Sequence, residues 1–140
     1  MDDKVWRLLD ANVNRAREGL RVVEDTARFV LDQPSAAKAL RRLRHGLDEL
    51  ARGHYRSLLA SRSTGKDSGR TNVSKPYKGG LSALLAANFK RCTEALRVLE
   101  EYGRVLAPGA TKRAQALRFQ VYLWETKLLS NGLTRRGSTS

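Results

Sequence analysis

Cysteine is almost missing: Cys92 is the only one in 140 residues. That excludes a disulfide framework and fits a reducing, intracellular setting, so a cytoplasmic location is expected. Long apolar runs are missing too. The longest, Ala83 to Ala87, has five residues, where a membrane helix needs about 20. The opening MDDKVWRLLD has neither the basic start nor the apolar stretch of a secretory signal. Only three prolines and eleven glycines interrupt the chain, which leaves room for long regular elements. Aromatic residues are few, at 6%. Acidic residues are outnumbered, 14 Asp plus Glu against 27 Lys plus Arg, for a net charge of +13. That excess points towards anionic partners: nucleic acid, nucleotides, phosphorylated metabolites or an acidic membrane face.

What is present is helical periodicity. From Asp3 to Leu31 apolar residues recur as Val5, Leu8, Leu9, Ala16, Leu20, Val23, Ala27 and Val30. Pro34 stops this run, and Ser35 is the expected N-cap of the next. The second run carries Ala39, Leu40, Leu43, Leu47, Leu50, Ala51 and Leu58. Residues 61–80 are rich in Gly, Ser, Thr and Lys and read as a long loop. A third run extends from Leu81 to about Leu106, where Pro108 and Gly109 break it. The fourth runs from Thr111 to about Ser130, with Asn131 and Gly132 ending it. Trp6, Phe119, Tyr122 and Trp124 sit at helical spacing and are expected in the core.

The chain also repeats itself, with the second copy opening at Ala86. Ala11, Asn12, Arg15, Glu18, Leu20, Arg21, Val22, Glu24 and Arg28 recur in the same order and spacing as Ala87, Asn88, Arg91, Glu94, Leu96, Arg97, Val98, Glu100 and Arg104. Ala39-Leu40-Arg41 then lies over Ala116-Leu117-Arg118. The expected fold is therefore all-α, a single four-helix bundle of two duplicated hairpins. Hairpin one spans 3–60, a basic linker 61–80, hairpin two 81–131, and a frayed tail 132–140.

On a helical wheel with Asn12 at zero, the apolar face falls at about 20° to about 80°. Gly19 falls at about 340°, Arg15 at about 300° and Glu18 at about 240°. Asn88, Ala95, Arg91 and Glu94 repeat those angles. Each long helix thus carries an Asn–Arg–Glu flank beside a small residue that leaves room for something. Arg21, Glu24 and Arg28 read as solvated on the far side. A structural reading stands beside the functional one: Asn can bond a neighbouring helix, and Arg15 with Glu18 suits a surface ion pair. An anionic ligand is the other partner an Arg at the edge of a core would accept.

The loop holds Arg62, Lys66, Arg70, Lys75 and Lys78 against Asp67. Thr64-Gly65-Lys66-Asp67-Ser68-Gly69 suits backbone approach to phosphate, or a solvated linker, but is not a Walker motif. His45 follows Arg41, Arg42 and Arg44 and suits an anion or a surface position. Two histidines and one cysteine without close spacing argue against zinc. Cys92 falls at a core-facing angle and reads as inert packing.

These segments, in this order, resemble a known family. They are Asp10-Ala11-Asn12, Asn14 to Val22 (NRAREGLRV), Glu24-Asp25, Leu43-Arg44-His45, Arg62 with Thr64, Asp67 and Gly69, Ala87 to Arg91 (ANFKR), Glu94 to Arg97 (EALR), and Leu99 to Tyr102 (LEEY). The family is the monofunctional hydroxymethylpyrimidine phosphate kinase of thiamin biosynthesis, a helical domain found alone or fused ahead of thiamin phosphate synthase. The chain departs from the pattern at Ser63 and in its more basic residues 70–80. No synthase domain follows, so the stand-alone form is expected.

The resemblance implies ATP-dependent conversion of hydroxymethylpyrimidine phosphate to the diphosphate, with Mg²⁺. On chemical grounds Arg15 and Arg91 suit the phosphates, and Glu18, Glu94 and Asp67 the Mg²⁺. Asn12, Asn88, Arg44 and His45 suit the substrate, and Arg62, Thr64, Lys66 and Gly69 the nucleotide. Thiamin phosphate synthase is an expected partner, no membrane is expected, and a homo-oligomer stays open. Two other readings stand beside the kinase: a basic helical module that binds nucleic acid, which the few aromatics argue against, and a non-catalytic partner of a thiamin-pathway enzyme.

Overall fold

The computed structural model describes residues 3–52, 74–106 and 108–132. Most of the expected linker and nearly all of the expected tail lie outside them. Four long α-helices account for most of the described residues, and no strand occurs among them. Helix α1 spans Asp3–Asp25, α2 Pro34–Arg52, α3 Gly80–Leu106 and α4 Pro108–Lys127. The all-α expectation holds.

The helix joints differ from the sequence expectation in instructive ways. Helix α1 gives way to a π-helical turn, Thr26–Val30, in which the Leu31 N–H donates to the Thr26 carbonyl at 2.9 Å. The Thr26 hydroxyl donates to the Val22 carbonyl at 2.7 Å, a back-bond that competes with the regular ladder. Asp32 then takes φ 53, a left-handed conformation that Asp tolerates better than most, and the chain reverses. The next helix starts at Pro34, so Ser35 is not its N-cap. Gln33 holds that position, its carbonyl accepting the Ala37 N–H at 3.1 Å. Proline costs nothing in a first helical turn, where its missing N–H would go unpaired. Pro108 likewise opens α4, three residues ahead of the expected Thr111. Helix α4 ends at Lys127 and passes into a second π turn, Leu128–Gly132.

Where α3 and α4 come together, a Cβ on Gly103 would meet the Thr111 hydroxyl at 2.6 Å and its backbone nitrogen at 3.0 Å. The Thr111 hydroxyl donates to the Glu100 carbonyl at 3.2 Å. Gly103 therefore lets α4 fold back directly onto α3.

Helix α1 packs on α3 and α2, and α4 packs on α3 and α2, which closes the bundle. Leu20, Leu40, Leu47, Leu85, Phe89, Leu96, Val121 and Leu128 are fully buried at its centre. Burying each of the larger of these contributes roughly 1.5–3 kcal/mol. Phe119 and Tyr122 are not in the core: they are 55% and 45% exposed. Ala114, Val121 and Leu128 face inward at seven-residue spacing, and that turns Phe119, Tyr122 and Leu123 outward. Trp6 and Trp124 are half-buried.

Candidate functional site

The internal repeat is visible in the packing. A Cβ added to Gly19 on α1 would meet the Asn88 carbonyl oxygen at 2.8 Å and the Cys92 Cβ at 3.5 Å on α3. A twofold exchanging the copies carries this contact into one between positions 95 and 16. Straight helices satisfy both only when α1 and α3 run antiparallel. The small residue beside the polar flank therefore leaves no room for a ligand; the α3 backbone fills that space.

Asn12 and Asn88 behave as a pair. Both are buried. The Asn12 Nδ2 donates to the Leu8 carbonyl at 2.8 Å, and the Asn88 Nδ2 to the Leu84 carbonyl at 2.9 Å. Each amide nitrogen is thus held by its own helix, one turn back.

The duplicated charges divide into two classes. Glu24 was expected to be solvated, but it is buried and accepts a hydrogen bond from Arg44 Nε at 2.9 Å. Its repeat, Glu100, is buried as well and accepts from Arg118 Nε at 2.8 Å. The side chains of Arg44 and Arg118 are only 13% and 14% exposed. Glu100 raises the Arg118 pKa further above its ordinary value, chiefly through this hydrogen bond. The signal for Glu24 was in the sequence: it lies at about 120° on the wheel, next to the apolar boundary and short of the far side.

These two ion pairs also correct the alignment of the second helices. Arg44 is the counterpart of Arg118, so Arg41 is not. Leu40 with Ala114 and Leu47 with Val121 keep the same step along the chain as that pair, and all four are buried. The first joint, with its π turn, is two residues longer than the second.

The other class faces out. Arg15, Glu18, Arg91 and Glu94 are all exposed. Among the described residues no ion pair holds Arg15, Glu18 or Arg91, and Glu94 has only Lys90, at 4.0 Å. Around them lie half-buried apolar residues on the same wheel flank: Leu8, Ala11 and Val22 on α1, and Leu84, Ala87 and Val98 on α3. Glu24 on α1 meets α2, and Glu100 on α3 meets α4. The Arg15 and Arg91 flanks are turned away from those contacts. With α1 and α3 antiparallel, a twofold normal to the pair sets both flanks on one outer face of the bundle. That face offers two exposed guanidinium groups, unpaired among the described residues, beside a strip of half-buried apolar side chains.

Among the other proposed site residues, His45 is exposed and Arg44 is committed to Glu24. Arg62, Thr64, Lys66, Asp67 and Gly69 lie outside the described residues. No three His, Cys, Asp or Glu side chains gather as a metal cluster among the described residues. No helix there is long and apolar enough to cross a membrane. Cys92 is buried, and burial pushes its thiol up to about 12, which makes it inert as expected.

The ThiD2 family matches residues 7–127. The chain is 42% identical to a thiamine-phosphate synthase of Nostoc punctiforme over 129 residues, covering 91% of this chain and 36% of that protein. It is 43% identical to a thiamine-phosphate synthase of Synechocystis over 134 residues, 94% of this chain and 38% of that one. A thiamine-phosphate synthase of Thermosynechococcus vestitus is 43% identical over 136 residues, 95% of this chain and 38% of the relative. The chain thus spans well under half the length of the curated relatives it matches. No solved structure matches it.

Proposed function

The chain belongs to the ThiD2 family, and on that footing we propose that it is an ATP-dependent kinase of thiamin biosynthesis that converts hydroxymethylpyrimidine phosphate to the diphosphate. The observation that carries the reading is the sorting of the duplicated charges. Glu24 and Glu100 each take up an arginine from the neighbouring helix. Arg15 and Arg91 stand exposed without an ion-pair partner among the described residues.

The chemistry asks for this kind of surface. The acceptor is a phosphate monoester with a second pKa near 6, so at pH 7 it is already an anionic nucleophile. An acceptor oxygen attacks the γ-phosphorus, the bond from that phosphorus to the β–γ bridging oxygen breaks, and ADP leaves. No side chain has to remove a proton. The residues have to hold two mutually repelling polyanions in line, which is the work of fixed cations. Arg15 and Arg91 would hold phosphates, and the half-buried Leu8, Ala11, Leu84 and Ala87 would cover the pyrimidine ring. Asn12 and Asn88, each bonded one turn back on its own helix, would stiffen the helices that carry these residues. The residues of 62–69 would complete the nucleotide contacts.

Mg²⁺ fits this donor set. It keeps several waters and binds through one or two carboxylates plus substrate phosphates, so no dense cluster is needed. Glu18 and Glu94, both exposed on the same face, are the carboxylates that would hold it. When bound, it neutralises charge on the β- and γ-phosphates.

The test is a coupled assay of the purified chain with ATP, Mg²⁺, hydroxymethylpyrimidine phosphate, thiazole phosphate and a thiamine-phosphate synthase. Thiamin phosphate formed only when ATP is present is the expected result. No product at any enzyme concentration, from a chain that is folded by circular dichroism, overturns the reading.

One observation favours a second reading. Relatives named thiamine-phosphate synthase are more than twice as long as the matched segment, which suits a non-catalytic partner of that enzyme. In that case the chain would speed a synthase supplied with the ready-made diphosphate and would consume no ATP.

A further inference from the structure

The second helices of the two hairpins do not match on their outer sides. The step that carries Arg44 to Arg118 also carries Arg42, His45, Asp48 and Glu49 on α2 to Ala116, Phe119, Tyr122 and Leu123 on α4. On α2 these positions are charged or titratable, as a solvated face should be. On α4 they are apolar and exposed, with Phe119, Tyr122 and Leu123 at 55%, 45% and 46%. No exposed residue between 115 and 126 is charged. Exposed charge returns at Lys112 and Arg113 towards one end of α4 and at Lys127 at the other.

The rings on this face are held in place. The Arg118 guanidinium lies 5.1 Å from the centre of the Phe119 ring and 5.9 Å from that of Tyr122. Glu100 on α3 holds that guanidinium at 2.8 Å and neutralises its charge. Helix α2 has the matching pair, Arg44 with Glu24, but has His45 and Asp48 where α4 has its rings. Aromatic side chains that are ordered before binding lose little freedom on binding, and such residues anchor interfaces. The inner side of α4 is taken up by α3 and α2, which leaves the aromatic side uncovered.

We propose that this side of α4 docks a second copy of the chain, forming a twofold dimer. Charge selects the occupant. Each copy carries +13, so two copies repel wherever their basic surfaces approach. The outer side of α4 is an uncharged stretch through which they can meet. An acidic partner would be drawn to the cationic surfaces instead. The face also complements itself. With two α4 helices antiparallel about a twofold at Phe119, Ala116 comes level with Tyr122 of the second copy, and the small residue leaves the ring room. Lys112 comes level with Thr126 of the second copy, so these positions bring no two cations together. The proposal is independent of the kinase reading and uses neither Arg15 nor Arg91.

The experiment is sedimentation velocity of the full chain over a range of concentrations, at low and at high salt. One helix face is a small interface, so a dissociation constant on the order of 10 µM is expected. Salt gives the distinguishing sign. Screening weakens the repulsion between two basic copies, so the dimer should tighten several-fold as ionic strength rises from about 0.05 M to about 0.5 M. Phe119→His with Leu123→Glu gives α4 the residues of α2 and should weaken association about a hundredfold. Ala116→Glu, the second variant, should weaken it as well. These side chains are exposed, so at dilutions where the wild type is monomeric both variants should match its circular dichroism and melting. Wild type that stays monomeric up to about 1 mM overturns the proposal. So does a dimer that both variants leave intact, or one that salt dissociates. A chain that is monomeric alone but binds a thiamine-phosphate synthase through Phe119 gives the face to another protein and overturns the second copy as its occupant. Turnover is read separately: a dimer that consumes no ATP supports the docking face and overturns the kinase reading.

Discussion

Gly19 on α1 lies against the backbone of Asn88 on α3, so closely that a Cβ would stand 2.8 Å from the Asn88 carbonyl oxygen. This contact makes the central helix pair close-packed and sets its register. It places the two duplicated polar flanks on a common face.

Gly19→Ala is therefore expected to destabilise the fold. Alanine favours a helix by about 1 kcal/mol over glycine. Pushing two backbones apart costs more, typically about 1–3 kcal/mol. Urea denaturation should show a lower midpoint. A stabilised variant would mean that the helices separate without penalty.

Removing one partner of a buried ion pair should cost far more than removing both. Glu24→Ala strands Arg44 and is expected to lose about 3 kcal/mol. The double variant Glu24→Leu with Arg44→Met should recover most of that. Equal losses in the single and double variants would show that the pair contributes nothing beyond its packing.

The exposed arginines should behave in the opposite sense. Arg15→Ala and Arg91→Ala are expected to keep the wild-type melting temperature, because neither side chain has an ion-pair partner among the described residues. Each should lower kcat/KM in the coupled assay by about 10²-fold or more, as removal of a charge-stabilising donor does. Unimpaired turnover in both would remove this face from the chemistry.

Phe119 and Phe89 supply an internal control for burial. Phe89 is fully buried and Phe119 is 55% exposed. Phe89→Ala should cost about 3–5 kcal/mol, and Phe119→Ala less than about 1 kcal/mol, measured side by side by chemical denaturation.

Cys92 gives a pH signature. Burial raises its thiol from 9.0 to about 12. The folded state thus favours the neutral form. This contribution is complete below pH 9, and it is lost as the pH climbs towards 12. Wild type should lose stability over that window faster than Cys92→Ala. The thiol should resist an aromatic disulfide reagent at pH 8 until denaturant opens the bundle.

The four helices and the duplication were legible because each is a local or linear pattern. Apolar residues at helical spacing mark a helix whatever it packs against. The joints were less legible. Pro34 and Pro108 read as breaks, and both are first residues of helices; a proline stops the helix before it and suits the one after it equally well. Phe119 and Tyr122 misled because α4 has apolar residues on both sides, and periodicity cannot say which side meets the core.

The candidate face was half legible. The repeated Asn–Arg–Glu flank could be read from spacing alone. The partners of Glu24 and Glu100 could not, since both arginines come from the next helix and the two joints differ by two residues.

Side-chain order along the chain was enough to establish four amphipathic helices in two matching pairs, with Arg15 and Arg91 at equivalent points on two of them. The α-helical backbone repeats about every 3.6 residues, and the order of side chains follows that repeat whichever helix lies beside it. Which duplicated charges are satisfied inside, which helix backbones touch at Gly19, and that Arg15 and Arg91 stay exposed were settled by how the helices meet. Those distances depend on joint length and packing between segments far apart in the chain, and no local pattern encodes them.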